Sequence, residues 1–181
     1  GEVRNWLWYH NTPAGRVLEA LMTDRTGVRR PVSVAPGSVA DNHLAALRTR
    51  AADLLPAPLL EIVRATEAPF LQAVFDIEVA TMAHGRACLI GDAAFAARPH
   101  AAVGSAKAAE DGYRLAAALA ATNGDVEDAL RRWEPAQLAL GRDIVARSRA
   151  AGQRLQSGAW RVGEPLPYGL REVGDSIMVT A

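Results

Sequence analysis

Several features are scarce in this sequence, and each absence removes a class of protein. The 181 residues contain one cysteine, Cys88, which excludes an internal disulfide framework and a zinc site with several thiolates and fits a reducing cytoplasm. Twenty basic and twenty acidic residues leave no net charge, so nothing indicates a nucleic-acid partner or an anionic membrane surface. No apolar run approaches the roughly 20 residues that span a bilayer. Half of the residues are apolar, so the chain can still bury a core.

The first half of the chain mixes strand and helix patterns. Alternating side chains predict strands at residues 6–10 and 70–79, and a further short strand covers residues 32–34. We expect these three strands to pair in one antiparallel sheet. A helix over residues 41–55, with Asp41 as its predicted N-cap, would pack on one face of that sheet.

The second half becomes mainly helical. Residues 87–90 form a continuous apolar run, which is typical of a central strand covered on both faces, and we expect this strand outside the first sheet. A helix then begins near Gly104 and ends at Asn123-Gly124, and Asp125 can cap the next helix. Strands mixed with helices, followed by helices, predict the α+β class.

The most informative segment is residues 89–119, where the predicted buried strand ends at Gly91-Asp92 and a loop with Pro99 leads to the helix at Gly104. A carboxylate after a strand can accept hydrogen bonds from sugar-like hydroxyls. The N-terminus of the following helix presents unpaired N–H groups to negative charge. This order suits a polyol chain joined to a ring that becomes anionic. Gly-Asp after a strand is also common turn chemistry, which is the purely structural alternative.

The same segment resembles the second flavin-binding motif of single-component FAD-dependent aromatic hydroxylases of the para-hydroxybenzoate hydroxylase type. The residues that carry the resemblance are Gly91-Asp92-Ala93-Ala94, Pro99, Gly104, Asp111 and Leu115. The resemblance extends more weakly over nearly the whole chain. It implies part of a substrate-domain antiparallel sheet, followed by the strand–loop–helix and the C-terminal helices of an FAD-binding domain.

The resemblance also implies roles for individual residues. Asp92 would hydrogen-bond the ribityl chain of FAD, and Pro99 would lie against the isoalloxazine ring. The backbone amides of Gly104, Ser105 and Ala106 would meet the pyrimidine side of the ring. No catalytic acid or base is implied in this part of the protein.

Two positions depart from the family pattern. The family often has His where this chain has Phe95, and Asn where it has Ala106. Asp92 and the backbone donors remain, so flavin binding is not contradicted. Only the side-chain contact from position 106 is lost.

Candidate substrate contacts are His100 and Gln72. His100 follows Pro99 and could reach a hydroxylated heteroaromatic ring, although a solvent-facing loop histidine is an equal alternative. Gln72 lies on a strand that approaches the substrate cavity in the family. The remaining histidines have no metal-ligand spacing, so no metal site is expected.

The family begins with a βαβ unit that carries G-x-G-x-x-G and holds the FAD pyrophosphate. These 181 residues contain no such pattern. The resemblance therefore suggests the C-terminal half of a hydroxylase, with its N-terminal half as the missing partner. The predicted bounds are 1–84 for the partial substrate sheet domain, 85–122 for the ring-side FAD part, 123–158 for the helix region and 159–181 for an extension.

The implied reaction is oxygen insertion into an electron-rich aromatic or hydroxypyridine ring, with NAD(P)H as reductant and O2 as oxidant through a flavin hydroperoxide. The alternative is a non-catalytic fragment or subunit that needs a partner chain to complete the FAD site. Apolar surface left without its partner also favours self-association, including a homodimer.

Overall fold

The computed structural model describes residues 5–159, 161, 163–164 and 169–171. The chain divides into two compact units, the first ending at Ala73 and the second beginning at Val74. Each unit combines helices with one small antiparallel sheet, so the predicted mixture of helices and antiparallel strands is confirmed in this coarse form. The four predicted domain bounds stay predictions, and most of the extension at 159–181 lies outside the described residues.

The first unit contains three helices and two short strands. In chain order they are α1 (Arg16–Leu21), β1 (Ser33–Val34), α2 (Asp41–Leu54), α3 (Ala57–Ala65) and β2 (Leu71–Gln72). Ala40 is the N-cap of α2, so Asp41 is not the cap as predicted but the first helical residue, where its carboxylate faces the positive end of the helix dipole. Pro56 separates α2 from α3, because proline is tolerated at a helix start and not in a helix interior.

Strands β1 and β2 pair antiparallel, with Val34 opposite Leu71 and Ser33 opposite Gln72. The pairing of residues 32–34 with the start of 70–79 was predicted and is confirmed. Val34 is completely buried in a small core with Met22 and Val39, and Leu71 packs against that core. The apolar members of the two strands therefore anchor the register.

Two strand predictions in this region are wrong. Residues 6–10 have no regular structure, because no described segment pairs with them. Trp6 instead donates its indole Nε1–H to Thr66 Oγ1 at 2.8 Å. The strand predicted over 70–79 is a strand only at Leu71–Gln72. After Ala73 the chain enters the second unit and no longer pairs with β1.

The second unit places a hairpin and two short 3₁₀ turns beside two long helices. The hairpin consists of β3 (Ala83–His84) and β4 (Ala87–Cys88), and the turns are Gly91–Ala93 and Pro99–Ala101. The helices are α4 (Gly104–Ala121) and α5 (Val126–Gln156). Asp125 caps α5 as predicted, since its carboxylate accepts the Asp128 amide at 3.1 Å.

The central strand predicted at 87–90 is wrong. Only Ala87–Cys88 is a strand, and it pairs in the two-stranded hairpin with Ala83–His84. Gly85 has a φ of +62° and allows the tight reversal between them. Ile90, at 41% exposure, is not covered on both sides in this chain. The expected separation of this strand from the first sheet is confirmed.

The core of the second unit lies between the hairpin, the 3₁₀ turns and α5. One buried cluster consists of Met82, Ala94, Phe95, Leu130, Trp133 and Val145, and a second consists of Ala101, Val103, Leu140 and Ile144. Glu134 on α5 accepts the amides of Met82 and Ala83 at 2.6 and 2.9 Å, which ties the hairpin to the helix. None of the helices in the described part of the chain is long and apolar enough to cross a bilayer.

Candidate functional site

The 3₁₀ turn Gly91–Ala93 packs closely against α4. A Cβ at Gly91 would lie 3.1 Å from the Ala108 Cβ, and Gly91 also has a φ of +57°. Its amide donates to Asp111 Oδ2 at 2.8 Å. Glycine is therefore required here, both for the backbone conformation and for the close approach to the helix.

Asp92 follows directly and exposes its carboxylate at the start of α4. Its Oδ1 lies 3.9 Å from the position that a Cβ on Gly104 would occupy. Because Gly104 has no side chain, nothing from that residue separates the carboxylate from the first turn of the helix. The carboxylate and the helix N-terminus thus form one exposed polar corner.

The first turn of α4 has open backbone donors. Val103 occupies the N-cap position and provides no side-chain cap. The first helical hydrogen bond runs from the Lys107 amide to the Val103 carbonyl at 2.8 Å. The amides of Gly104, Ser105 and Ala106 donate to no other residue in the part of the chain that the structure describes. Such amides, with the positive end of an 18-residue helix, favour an anionic or hydrogen-bond-accepting ligand.

The loop between Asp92 and Gly104 is anchored on α5. Ser148 donates its hydroxyl to the Arg98 carbonyl at 2.7 Å. The rings of Phe95 and His100 lie where two helical glycines leave room: a Cβ on Gly141 would lie 2.3 Å from Phe95, and one on Gly152 would lie 2.8 Å from His100. These contacts hold the loop against α5, and Pro99 on the same loop is exposed.

Burial and a neighbouring positive charge lower the pKa of His100. Burial lowers its pKa, and the nearby positive charge of Arg98 lowers it further, while the Asp76 carboxylate opposes both effects. The net result is a pKa below the usual 6.5, which favours the neutral imidazole.

The structure brings together most of the predicted cofactor residues. Asp92, Gly104, Ser105 and Ala106 share the corner at the start of α4, and Pro99 and His100 lie on the loop that leads into it. Gln72 lies on β2 in the other compact unit, with its side chain exposed. Among the described residues, no group of three or more His, Cys, Asp or Glu side chains could hold a metal ion.

Sequence analysis missed the buried polar groups beneath this corner. Lys107 and Asp111 form an ion pair inside the unit. Asp111 was noted only as part of the family resemblance, and the signal for the pair was its four-residue spacing on the helix. Asp76 binds Arg98 and Arg149, which lie 22 and 73 positions away, so no local pattern could reveal this contact.

Comparison with known families identifies the chain. Residues 51–148, more than half of the chain, match the family model described as FAD binding domain, and residues 1–76 match one described as FAD binding domain-like. The chain belongs to the FAD binding domain family. The predicted family resemblance and the predicted cofactor class, FAD, are thereby confirmed.

Individual relatives of this chain are aromatic-ring oxygenases by name. It is 37% identical over 178 residues to 2,6-dihydroxypyridine 3-monooxygenase of Paenarthrobacter nicotinovorans, covering 97% of this chain and 44% of the relative. It is 39% identical over 98 residues to salicylate hydroxylase of Pseudomonas putida, covering 54% of this chain and 21% of the relative. The chain thus spans less than half the length of these curated relatives.

A solved structure agrees with the sequence comparison. The structure of 2,6-dihydroxypyridine-3-hydroxylase from Arthrobacter nicotinovorans superposes with a TM-score of 0.79 at 37% identity. The match covers 95% of this chain and 44% of that one. The chain therefore shares its fold with part of a longer enzyme.

Proposed function

We propose that this chain is the C-terminal portion of an FAD-dependent, NAD(P)H-using monooxygenase that hydroxylates a small electron-rich aromatic or hydroxypyridine ring. The observation that carries the proposal is the exposed Asp92 carboxylate beside the open amides of α4. The names of the relatives support the reaction class. In finer detail, the β1–β2 sheet would belong to the substrate domain and the second unit to the FAD-binding domain.

The residues at this corner fit a flavin. Asp92 offers an exposed acceptor for ribityl hydroxyls, and the amides of Gly104, Ser105 and Ala106 offer unused donors for the pyrimidine edge of the ring. Pro99 would lie against the ring from the anchored loop. When bound, FAD supplies the redox chemistry by accepting reducing equivalents from NAD(P)H and activating O2.

The protein's contribution would then be mainly electrostatic. The positive end of α4 would stabilise negative charge at the pyrimidine edge without any proton transfer from this chain. His100, whose ring lies beside Gly152 of α5, is one proposed hydrogen-bonding contact for the aromatic substrate. Gln72 remains the second proposed substrate contact.

A second candidate is a non-catalytic fragment or subunit that a partner must complete. It is favoured by the missing G-x-G-x-x-G pattern and by the 44% coverage of the relative. A few hydrogen bonds of about 0.5–1.5 kcal/mol each do not overcome the roughly 4–15 kcal/mol of lost ligand freedom. The 181-residue chain alone should therefore hold FAD weakly and should not oxidise NAD(P)H.

The experiment is to purify this chain and measure its flavin absorbance and NAD(P)H oxidation, with and without the remainder of the protein supplied in trans. The proposal expects a colourless, inactive chain that gains flavin and substrate-stimulated NAD(P)H oxidation once completed. A yellow, active preparation of the chain alone would contradict the division of the FAD site between the two parts.

A further inference from the structure

A buried ion pair lies beneath the proposed flavin corner. Lys107 Nζ lies 2.5 Å from Asp111 Oδ2, and the side chains are 2% and 0% exposed. The Lys107 ammonium lies 5.0 Å from the centre of the Phe95 ring, a cation–π distance. Two opposite charges are thus enclosed one helical turn from the open amides of α4.

The Asp111 carboxylate reaches the turn that presents Asp92. The same Oδ2 that binds Lys107 accepts the Gly91 amide at 2.8 Å. The Asp111 main-chain carbonyl accepts the Trp133 indole N–H at 3.0 Å, which fixes this part of α4 against α5. Asp111 Oδ1 has no hydrogen-bond partner among the described residues. All of the observed side-chain bonding of Asp111 therefore goes to Lys107 and to the residue before Asp92.

Stabilisation of the fold does not by itself explain the buried Lys107–Asp111 pair. The free energy needed to remove two charges from water is about as large as the free energy gained from their attraction. Proteins with well-packed apolar residues in place of such a pair are often equally stable. The bond to Gly91 has a more specific consequence. A Cβ on Gly91 would lie only 3.1 Å from the Ala108 Cβ, and the Asp111 hydrogen bond holds the amide of this same residue, directly before Asp92.

We propose that Asp111, held by Lys107, is a positioning residue that fixes the Gly91-Asp92 turn and thereby aims the Asp92 carboxylate at the ribityl chain of FAD. This inference rests on the proposed function of Asp92. Asp111 itself would not touch the cofactor. Its carboxylate acts through the Gly91 amide, and Lys107 orients that carboxylate.

The test separates the hydrogen bond from the charges in the full-length enzyme. Lys107→Met with Asp111→Asn removes both charges and keeps an acceptor for the Gly91 amide. Lys107→Met with Asp111→Leu has nearly the same shape and no acceptor. If the leucine variant does not fold, Asp111→Ser replaces it, because its hydroxyl is too short to reach the amide. The dissociation constant for FAD is measured by fluorescence titration of each apoenzyme, and each pair is repeated in an Asp92→Ala background.

The leucine pair should bind FAD about tenfold more weakly than the asparagine pair when Asp92 is present, the effect of one hydrogen bond. In the Asp92→Ala background this ratio should fall below about twofold, since no carboxylate remains at position 92 for the turn to orient. An equal ratio in both backgrounds, or a ratio near one in both, would overturn the positioning role. If Asp92→Ala by itself leaves FAD binding unchanged, the proposed role of Asp92 is the part that fails.

Discussion

The Asp76 carboxylate holds Arg98 through two groups of the same residue. Its Oδ1 accepts the Arg98 amide and its Oδ2 accepts the Arg98 Nε, both at 3.1 Å. Arg149 on α5 donates to the same Oδ2 at 2.8 Å, and the Asp76 side chain is only 3% exposed. One buried carboxylate therefore joins the segment before the hairpin, the loop that carries Pro99, and α5.

This contact makes stability depend on pH. Burial raises the pKa of Asp76, but hydrogen bonds from Arg149 and the Arg98 amide, with the charges of both arginines, outweigh it and hold the pKa below its usual 3.8. A carboxyl whose pKa is lower in the folded state stabilises fully above the unfolded pKa of about 4 and loses this contribution as pH falls through the folded value. Asp76→Asn should therefore lower the thermal midpoint at pH 6, and its difference from wild type should shrink toward pH 3. Circular dichroism melts at stepped pH measure this, and a difference that stays constant with pH would contradict it.

Gly141 is expected to be intolerant of a methyl group. A Cβ there would lie 2.3 Å from the buried Phe95 ring, so Gly141→Ala must displace the ring and with it the loop before Pro99. We expect a loss of roughly 1–3 kcal/mol in the free energy of unfolding and weaker FAD binding in the full-length enzyme.

Gly112→Ala is the matched control, because a Cβ on this other helical glycine meets nothing within 4 Å. Alanine should stabilise α4 there by up to about 1 kcal/mol. Urea denaturation of both variants compares the two sites. Equal effects of the two substitutions would show that the contact between Phe95 and α5 does not hold the loop.

The first unit contains two Asp–Arg pairs, one with a buried and one with an exposed carboxylate, which should differ in their contribution to stability. Asp24 is 2% exposed and accepts the amides of Thr26 and Val28 as well as the Arg30 guanidinium. Asp41 is 84% exposed and pairs with Arg25 at 2.8 Å. Asp24→Ala should lower the thermal midpoint far more than Asp41→Ala, because it removes a buried carboxylate that accepts hydrogen bonds from three different residues, while an exposed ion pair contributes little. Melting curves of the two variants decide this, and comparable decreases would refute it.

The helices could be predicted because their signals are local. Pro56 marks the boundary between α2 and α3, Asn123-Gly124 ends α4, and Asp125 caps α5. The strands could be predicted only in part, because a strand depends on a partner that lies elsewhere in the sequence: the pairing of β1 with β2 was predicted, and the strand at residues 6–10 and the central strand at 87–90 were wrong. Residues 6–10 alternate like a strand, yet no described segment pairs with them.

The candidate site shows the same contrast between local and distant signals. The order of Gly91-Asp92, Pro99 and Gly104 was visible in the sequence, and the structure brings Asp92 to the helix start as that order suggested. The groups that hold the loop were not visible. Asp76 and Ser148 lie 22 and 50 positions from Arg98, and only the folded chain brings them to it.

We expect Asp92 and the start of α4 to form the ring-side wall of an FAD site. The most direct measurement is FAD titration of the full-length apoenzyme carrying Asp92→Ala, with Asp53→Ala, an exposed carboxylate on α2, as the matched control. The account predicts FAD binding that is about tenfold or more weaker for Asp92→Ala and unchanged for Asp53→Ala, because ribityl hydroxyls lose a charged acceptor in the first variant only. Wild-type affinity and full flavin content in a correctly folded Asp92→Ala enzyme would contradict it.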